Sequence, residues 1–549
     1  MEVTDASPTL PHMENEHRRG VVALLLAAVI IGAAPGCRKV SEKPTWDIDL
    51  LAPLVRTSFT LRDLLPDSLL VTDPDGSVTL VYSGELFDLN LDTVLTAPDT
   101  TFAYRYGLPF AGPLDLPAGV NFFNQVDVQR FDLDDLALRQ LILREGTLEL
   151  RMTNMVQSRI LGSIDIPAAQ FANGSTSLNT EADAGTPAQP TVSVSTRDLA
   201  GARFDLRGPQ LNAVNTVQTI VGARLDPDGQ GATITDQDSL ILQASYFGLV
   251  PEYARGFFGQ REVSAGPTEE DLGLFDALVG GTLDLDAATL RLKVENGFGV
   301  DLQLRMRELT AINTRTGAEV SLTHALFNGP LNLTRALDLG TGPQPTFVER
   351  TLNVGNSNLT EFIESLPDRA RYKIDLALNP LGDISNGNDF LYHSSKLKAR
   401  IDLEVPLRLI ANELTLQSIS TPDLPGTAEG HALRSGTLRL FATNGFPMSA
   451  RIVLDLIDGD GEVIGSIPVE GIAASGALGA NGLVVQRTSS QLSAELNEAL
   501  VDLLYSGARL RTRAAFTTVD QSQHLRLLDS YALDLQVTLE ANYMVNGDE

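Results

Sequence analysis

Four histidines follow residue 37, at His324, His393, His431 and His524, and none stands at metal-ligand spacing from another. No helical zinc motif or deaminase-type signature can be built from them. The only thiol is Cys37, and one cysteine excludes an internal disulfide, a multi-thiolate zinc site and an iron–sulfur cluster. Neither a Gly-x-Ser-x-Gly nucleophile elbow nor a phosphate-cradling loop ending in Gly-Lys-Ser/Thr occurs. Ser395 and Lys398 match Ser-x-x-Lys, which needs a helical turn to bring its two side chains together. Here Leu397, Ala399 and Ile401 alternate as in a strand. Carboxylates are abundant, and Asp458, Asp460 and Glu462, with the stretch from Asp226 to Asp238, offer oxygens to a hard cation such as calcium. Neither stretch fits the twelve-residue calcium loop, and acidic hairpin turns have the same composition. The expectation is no catalytic residue, no cofactor and no metal site beyond those calcium candidates.

Cys37 has a more specific context. Arg18 and Arg19 precede an almost wholly apolar run from Val21 to Ala34, and Pro35-Gly36-Cys37 follows. A basic start, an apolar stretch of about fifteen residues and a small-residue end make a secretory signal. A membrane-spanning helix needs about 20 apolar residues, and Arg38-Lys39 cuts the run short. Ala34-Pro35-Gly36-Cys37 resembles a bacterial lipobox, with Ala34 in place of the commoner leucine and an unusual Pro35. Cleavage before Cys37 and lipidation of its thiol are therefore expected. In lipoprotein sorting, aspartate after the cysteine retains a protein in the inner membrane; Arg38 there points to the outer membrane.

The 549 residues hold 41 basic and 70 acidic side chains, a net charge of −29. Loss of residues 1–36 leaves 39 basic and 66 acidic side chains, or −27. Nucleic-acid binders need a basic face to release counterions, so no nucleic-acid partner is expected. An acidic body is also repelled by anionic headgroups, which leaves the lipid as the membrane contact.

The elements that carry these residues read as strands. Period-two alternation marks a strand with one apolar face, and it runs from Tyr531 to Val545 and from Leu397 to Val405, where Pro406 signals an edge or a bend. Thr147–Asn154 (TLELRMTN), Thr289–Asn296 (TLRLKVEN) and Thr437–Asn444 (TLRLFATN) repeat at spacings of 142 and 148 residues. Each ends in asparagine, at Asn154, Asn296 and Asn444, and the last two continue Gly-Phe, which predicts a two-residue hairpin turn. Short helices are expected over 490–505, from Leu492, Leu496, Leu500 and Leu503 with Thr488 and Gln491 as a capping box, and over 358–366. A third helix is expected over 131–142. Loops near 172–196, 264–270 and 418–436 suggest boundaries.

The fold class is then mostly β: repeated antiparallel sandwich-like or elongated sheet modules, each with one short helix. The division is a signal peptide (1–36), an N-terminal strand segment (37–100) and three β repeats (101–265, 266–420 and 421–549).

Trp46-Asp47-Ile48-Asp49-Leu50, Tyr253-Ala254-Arg255-Gly256-Phe257-Phe258-Gly259 and the Asn-Gly-Phe segments resemble β-rich lipoproteins of Bacteroidota and related bacteria, loosely over 45–545. That resemblance brings no assigned activity. The segment Thr437 to Gly465, with Pro447 soon after the asparagine, is similar to the late-embryogenesis-abundant group-2 (water-stress and hypersensitive response) domain. It implies an immunoglobulin-like sandwich without a catalytic role. The functional expectation is a non-catalytic, lipid-anchored envelope protein that binds a protein partner or an apolar ligand, or acts as a spacer. The alternative is a carboxylate-dependent enzyme on envelope polysaccharide, which a single tryptophan, Trp46, and 6% aromatic residues disfavour.

Overall fold

A computed structural model describes residues 45–90, 95, 97–107, 112–424 and 435–546. The chain runs outward and then back. The outward leg is β1 (Thr45–Thr60), β2 (Val78–Asn90), β3 (Thr100–Gly107) and β4 (Asn121–Arg130). The return begins with β5 (Ala137–Asn154), β6 (Ile160–Asp165), β7 (Ser177–Ala182), β8 (Thr191–Asp198), β9 (Arg203–Asp205), β10 (Thr216–Leu225) and β11 (Ser239–Phe257). It continues through β12 (Arg261–Asp271), β13 (Thr289–Asn296), β14 (Leu302–Asn313), β15 (Ala318–Ser321), β16 (Thr346–Asn353), α1 (Leu359–Glu364), β17 (Arg369–Leu378), β18 (Asp389–Tyr392) and β19 (Lys396–Pro406). The last part is β20 (Arg408–Ser420), β21 (Gly436–Asn444), β22 (Met448–Ile457), β23 (Val463–Ile467), β24 (Thr488–Leu496), α2 (Glu498–Tyr505), β25 (Arg509–Thr518) and β26 (Ala532–Asn546).

These strands build three units with one shared topology, all their ladders antiparallel. In the first, one sheet has the order β3-β11-β5-β8 and the other β4-β10-β6-β7. The second repeats this as β2-β19-β13-β16 and β12-β17-β14-β15. The third is β1-β26-β21-β24 and β20-β25-β22-β23. Each outward strand thus completes a unit whose other strands come later, and the strand nearest the N-terminus joins the strand nearest the C-terminus. In register, Thr45 faces Asn546 and Thr60 faces Ala532.

Alternation explains the layering. Leu397, Ala399, Ile401, Leu403 and Val405 on β19 are all buried, as are Leu533, Leu535, Val537, Leu539 and Ala541 on β26. Their partners on neighbouring strands alternate in the same phase, so each sheet turns one apolar face inward and two such faces close a core. Pro406 ends β19 where the chain leaves one sheet for β20 in another, a position that needs no further ladder donor.

Several local expectations are corrected. The repeated asparagines do not make hairpins: β13 and β14 lie in different sheets, as do β5 and β6, and β21 and β22. The segment 488–496 is strand β24, not helix; Leu492, Ala494 and Leu496 are buried in alternation and Leu492 faces Leu440. A spacing of four suits both a strand of period two and a helix of period 3.6, so Leu492 and Leu496 could not discriminate between them. The helix α2 starts only after Asn497, whose side chain accepts the Leu500 N–H at 3.0 Å. No helix forms over 131–142, where β5 begins at Ala137, and the 264–270 stretch lies inside β12 at a register shift between Ala265 and Thr268.

The outward strands are also bound through side chains. On β19, Asp402 accepts hydrogen bonds from Ser83 of β2 and from Arg400, and pairs with Lys293 of β13 at 3.0 Å. Partial burial works against its charge, but these donors win and hold the carboxyl at about 2. A folded-state value below the unfolded one stabilises the fold above about pH 4, and that contribution is lost as pH falls toward 2. It amounts to about 2 kcal/mol at most. Asp402→Asn should therefore destabilise the β2–β19 ladder at pH 6 and do so much less as pH falls to 2, measured by amide hydrogen exchange. A gap undiminished at the lower pH would refute this coupling.

Candidate functional site

Cys37 lies outside the described residues, as does His431. The three repeat asparagines are in equivalent places and fully buried. The Asn154 side chain accepts the Val156 N–H and donates to the Ser158 and Asp183 carbonyls, all at 2.8 Å. Asn444 does the same with Phe446, Met448 and Ala474, at 2.8, 2.8 and 3.0 Å. Asn296 accepts from Phe298 at 2.9 Å and donates to Thr334 at 2.8 Å. Asp183, Thr334 and Ala474 each stand in the segment before the outer strand of their unit, so each asparagine turns the chain from one sheet to the other and clamps that segment. This is architecture, with no free polar atom left for a ligand.

Of the calcium candidates, Asp458 is occupied locally. The Asp458 carboxylate accepts the Asp460 and Glu462 N–H groups at 3.0 and 2.9 Å, closing its own turn. Among the described residues, no three His, Cys, Asp or Glu side chains converge as a metal site. His324 caps a short 3-10 turn through Leu326 N–H, burial lowering its pKa, and His524 contacts Asp284 at 3.0 Å. Ser395 is buried and receives the Tyr392 N–H, while Lys398 stands 3.5 Å from Asp88, so the Ser-x-x-Lys match holds no active pair.

The long apolar strand faces are consumed by the cores. An apolar void beside Leu138, Leu143 and Tyr246 has about 30 Å³, and one beside Leu65, Phe275 and Leu409 about 10 Å³. Such spaces hold about one water, whereas ligand pockets run to ~300 Å³ and more.

The chemistry that does gather lies where the first unit meets the second, on the outer face of the β3-β11-β5-β8 sheet. Strand β18 of the second unit adds to β11 there, with Tyr253 facing Tyr392 and Arg255 facing Phe390. The two tyrosine rings are 4.7 Å apart, and both phenols donate to Asp338, at 3.0 and 2.6 Å. Burial and the neighbouring carboxylate push Tyr392 up to about 12 and raise Tyr253 as well. Burial opposes ionisation of Asp338, yet the phenols, the Gly340 N–H and the charge of Arg255 keep it below the usual carboxylate range. At neutral pH the phenols are thus fixed donors to a fixed anion, a lock and not an acid–base pair. Next to it, Arg335 binds Asp301 through two contacts of 2.8 and 2.9 Å and reaches the buried Asp389 at 2.8 Å. Asn379 adds a 3.0 Å hydrogen bond to Asp389.

Two polar clefts open on the first unit. One, of about 620 Å³, lies over the outer face of the β4-β10-β6-β7 sheet, with Asp165, Glu181 and Arg224 in its walls. Its acids are engaged, Asp165 by Thr176 and Glu181 by Arg159. The other, of about 560 Å³, flanks the tyrosine lock and is walled by Arg139, Arg203, Arg207 and Arg255. Of these only Arg255 was singled out in the sequence, within the Tyr253–Gly259 motif. The remaining three are scattered over β5 and the β9 region and carried no shared pattern.

No protein-family model matches the chain, and no curated protein matches it. Among solved structures it is similar to a "putative secreted protein" from Parabacteroides distasonis ATCC 8503, at 11% identity and a TM-score of 0.30, over 92% of this chain and 100% of that one. A likeness at that level bears on neither the function nor the site.

Proposed function

We propose that the chain is a non-catalytic, lipid-anchored protein of the bacterial cell envelope, held in the outer membrane through Cys37, that presents three β-sandwich units to a partner or spaces it from the membrane. The observation that carries this reading is the position of β1. Only residues 38–44 separate Cys37 from a strand paired along its whole length with β26. Seven residues span at most about 25 Å, so the lipid would be joined closely to the third unit and not through a long tether. With a charge of −27 after cleavage, the body is repelled from anionic headgroups and stands off the surface. The closed cores favour a partner on the outer surfaces over an apolar ligand inside.

The test is metabolic labelling with a palmitate analogue, followed by mass spectrometry of the N-terminal peptide. The native chain should carry acyl groups on Cys37 and sediment with outer membranes. Cys37→Ser should lose the label and enter the soluble fraction. An unmodified Cys37 in the membrane-bound protein, or a mature chain that begins beyond it, refutes the anchor.

A further inference from the structure

The 560 Å³ cleft stands apart from the rest of an acidic molecule: four guanidinium groups line it against a single carboxylate, Asp205. That carboxylate is already taken, because Arg207 grips it with Nε and an Nη at 2.9 and 2.6 Å. Arg139, Arg203 and Arg255 form no ion pair among the described residues, although carboxylates outnumber basic groups 70 to 41 in the chain. Arg255 lies near enough to lower the pKa of Asp338 without pairing with it.

Strand register brings these groups together. Gln140 on β5 is flanked by Asp205 of β9 on one side and Arg255 of β11 on the other, and Arg203 faces Ile142 two pairs along. Directly paired residues share a face, opposite the buried Leu141, Phe204 and Ala254. Arg139 would point to the core in a regular ladder. Between the Arg255–Gln140 and Gly256–Leu138 pairs the register shifts, and Arg139 is the extra residue, re-aimed toward the cleft. Its guanidinium then lies over the second unit's turn at Gly387, where a Cβ would stand 2.6 Å from Nε. Gly387 also has φ of +67°, so a larger residue there would be strained and would displace the Arg139 guanidinium. Asn388 of the same turn closes the rim.

Like charges held side by side in one cleft repel one another, and among the described residues no carboxylate forms an ion pair with three of them. Guanidinium groups match carboxylate and phosphate oxygens through paired N–H donors. The acidic remainder opposes an approaching anion, but that field is screened within about 10 Å at 0.1 M salt, while the cleft acts at contact distance. We propose that this cleft is a binding site for an oxyanion, a carboxylate or phosphate group on a polar ligand, with Arg203 and Arg207 on one side, Arg255 on the other, and the Gln140 and Asn388 amides meeting its neutral groups. Because Arg139 rests on the 387 turn, an occupant would bridge the first and second units.

Calorimetric titration of the full-length protein with pyrophosphate and with tri-galacturonate, using maltotriose as the neutral control, tests this. At least one of the two anions should bind saturably, and which one does so distinguishes a phosphate source from a carboxylate source. Its affinity should fall tenfold or more in both Arg203→Gln and Arg255→Gln. It should be unchanged in Arg151→Gln, an exposed arginine further along β5. Binding of neither anion, or equal loss in Arg151→Gln, overturns the proposal. Neither result depends on whether Cys37 is lipidated.

Discussion

Deletion of residues 45–60 is expected to unfold the third unit and leave the first one folded. The strand β1 contributes fifteen register pairs to β26 and buries Leu54, Val55 and Phe59. On the order of ten backbone hydrogen bonds at ~1 kcal/mol each, with three apolar side chains at ~1.5–3 kcal/mol each, match or exceed the ~5–15 kcal/mol that holds a typical domain together. The loss also leaves the long ladder edge of β26 unpaired, a template for aggregation. In hydrogen exchange, amides of β21 and β25 should lose protection while those of β10 keep theirs. Since Thr45 and Asn546 are neighbours in the ladder, moving residues 45–60 behind residue 546 through a short turn rebuilds the same antiparallel pair. That permuted chain should regain protection. Retained protection in the deletion would show that β1 is dispensable, and no recovery in the permutant would show that the β1–β26 pairing alone does not account for the loss.

The second large effect concerns the sheet-crossing asparagines. Asn444→Ala removes one acceptor and two donors, orphaning the buried Phe446 N–H and Met448 carbonyl and releasing the carbonyl of the exposed Ala474. Each buried orphan costs about 1–3 kcal/mol, so a loss of about 3 kcal/mol or more is expected. Asn154→Ala should match it, whereas Asn296→Ala should cost less, having one donor contact fewer. Asn444→Asp keeps the acceptor but turns an anionic oxygen toward two carbonyls, and should be worse than alanine at neutral pH. Urea unfolding followed by hydrogen exchange within each unit measures these differences. Equal costs at Asn296 and Asn444, or an aspartate variant as stable as the native chain, would contradict this account of the contacts.

The same asparagines show where sequence reading stops. Their recurrence at near-equal spacing was legible, because identical local jobs select identical local residues. Asn-Gly followed by a strand suits a hairpin just as well as a crossing between sheets. What separates the two is the partner that receives the side-chain amide, and Asp183, Thr334 and Ala474 lie 29 to 38 residues further on. The misread helix at 490–496 has a similar origin: leucines four apart satisfy both periods, and only the ladder with β21 selects the strand.

The sequence by itself determined that the chain is mostly β, that it carries three copies of one strand motif, and that its single thiol sits behind an apolar signal. These are local properties, set by which side chains partition from water and by the context of one cysteine. Only the tertiary structure decided which strands pair. It placed residues 45–90 into units two and three, closed the apolar faces as cores, and gathered Arg139, Arg203, Arg207 and Arg255 around one cleft. Backbone N–H and C=O groups are the same in every strand, so a ladder bears no label in its own residues. The choice of partner is made by register, bulges and the fit of whole faces, which link positions hundreds of residues apart.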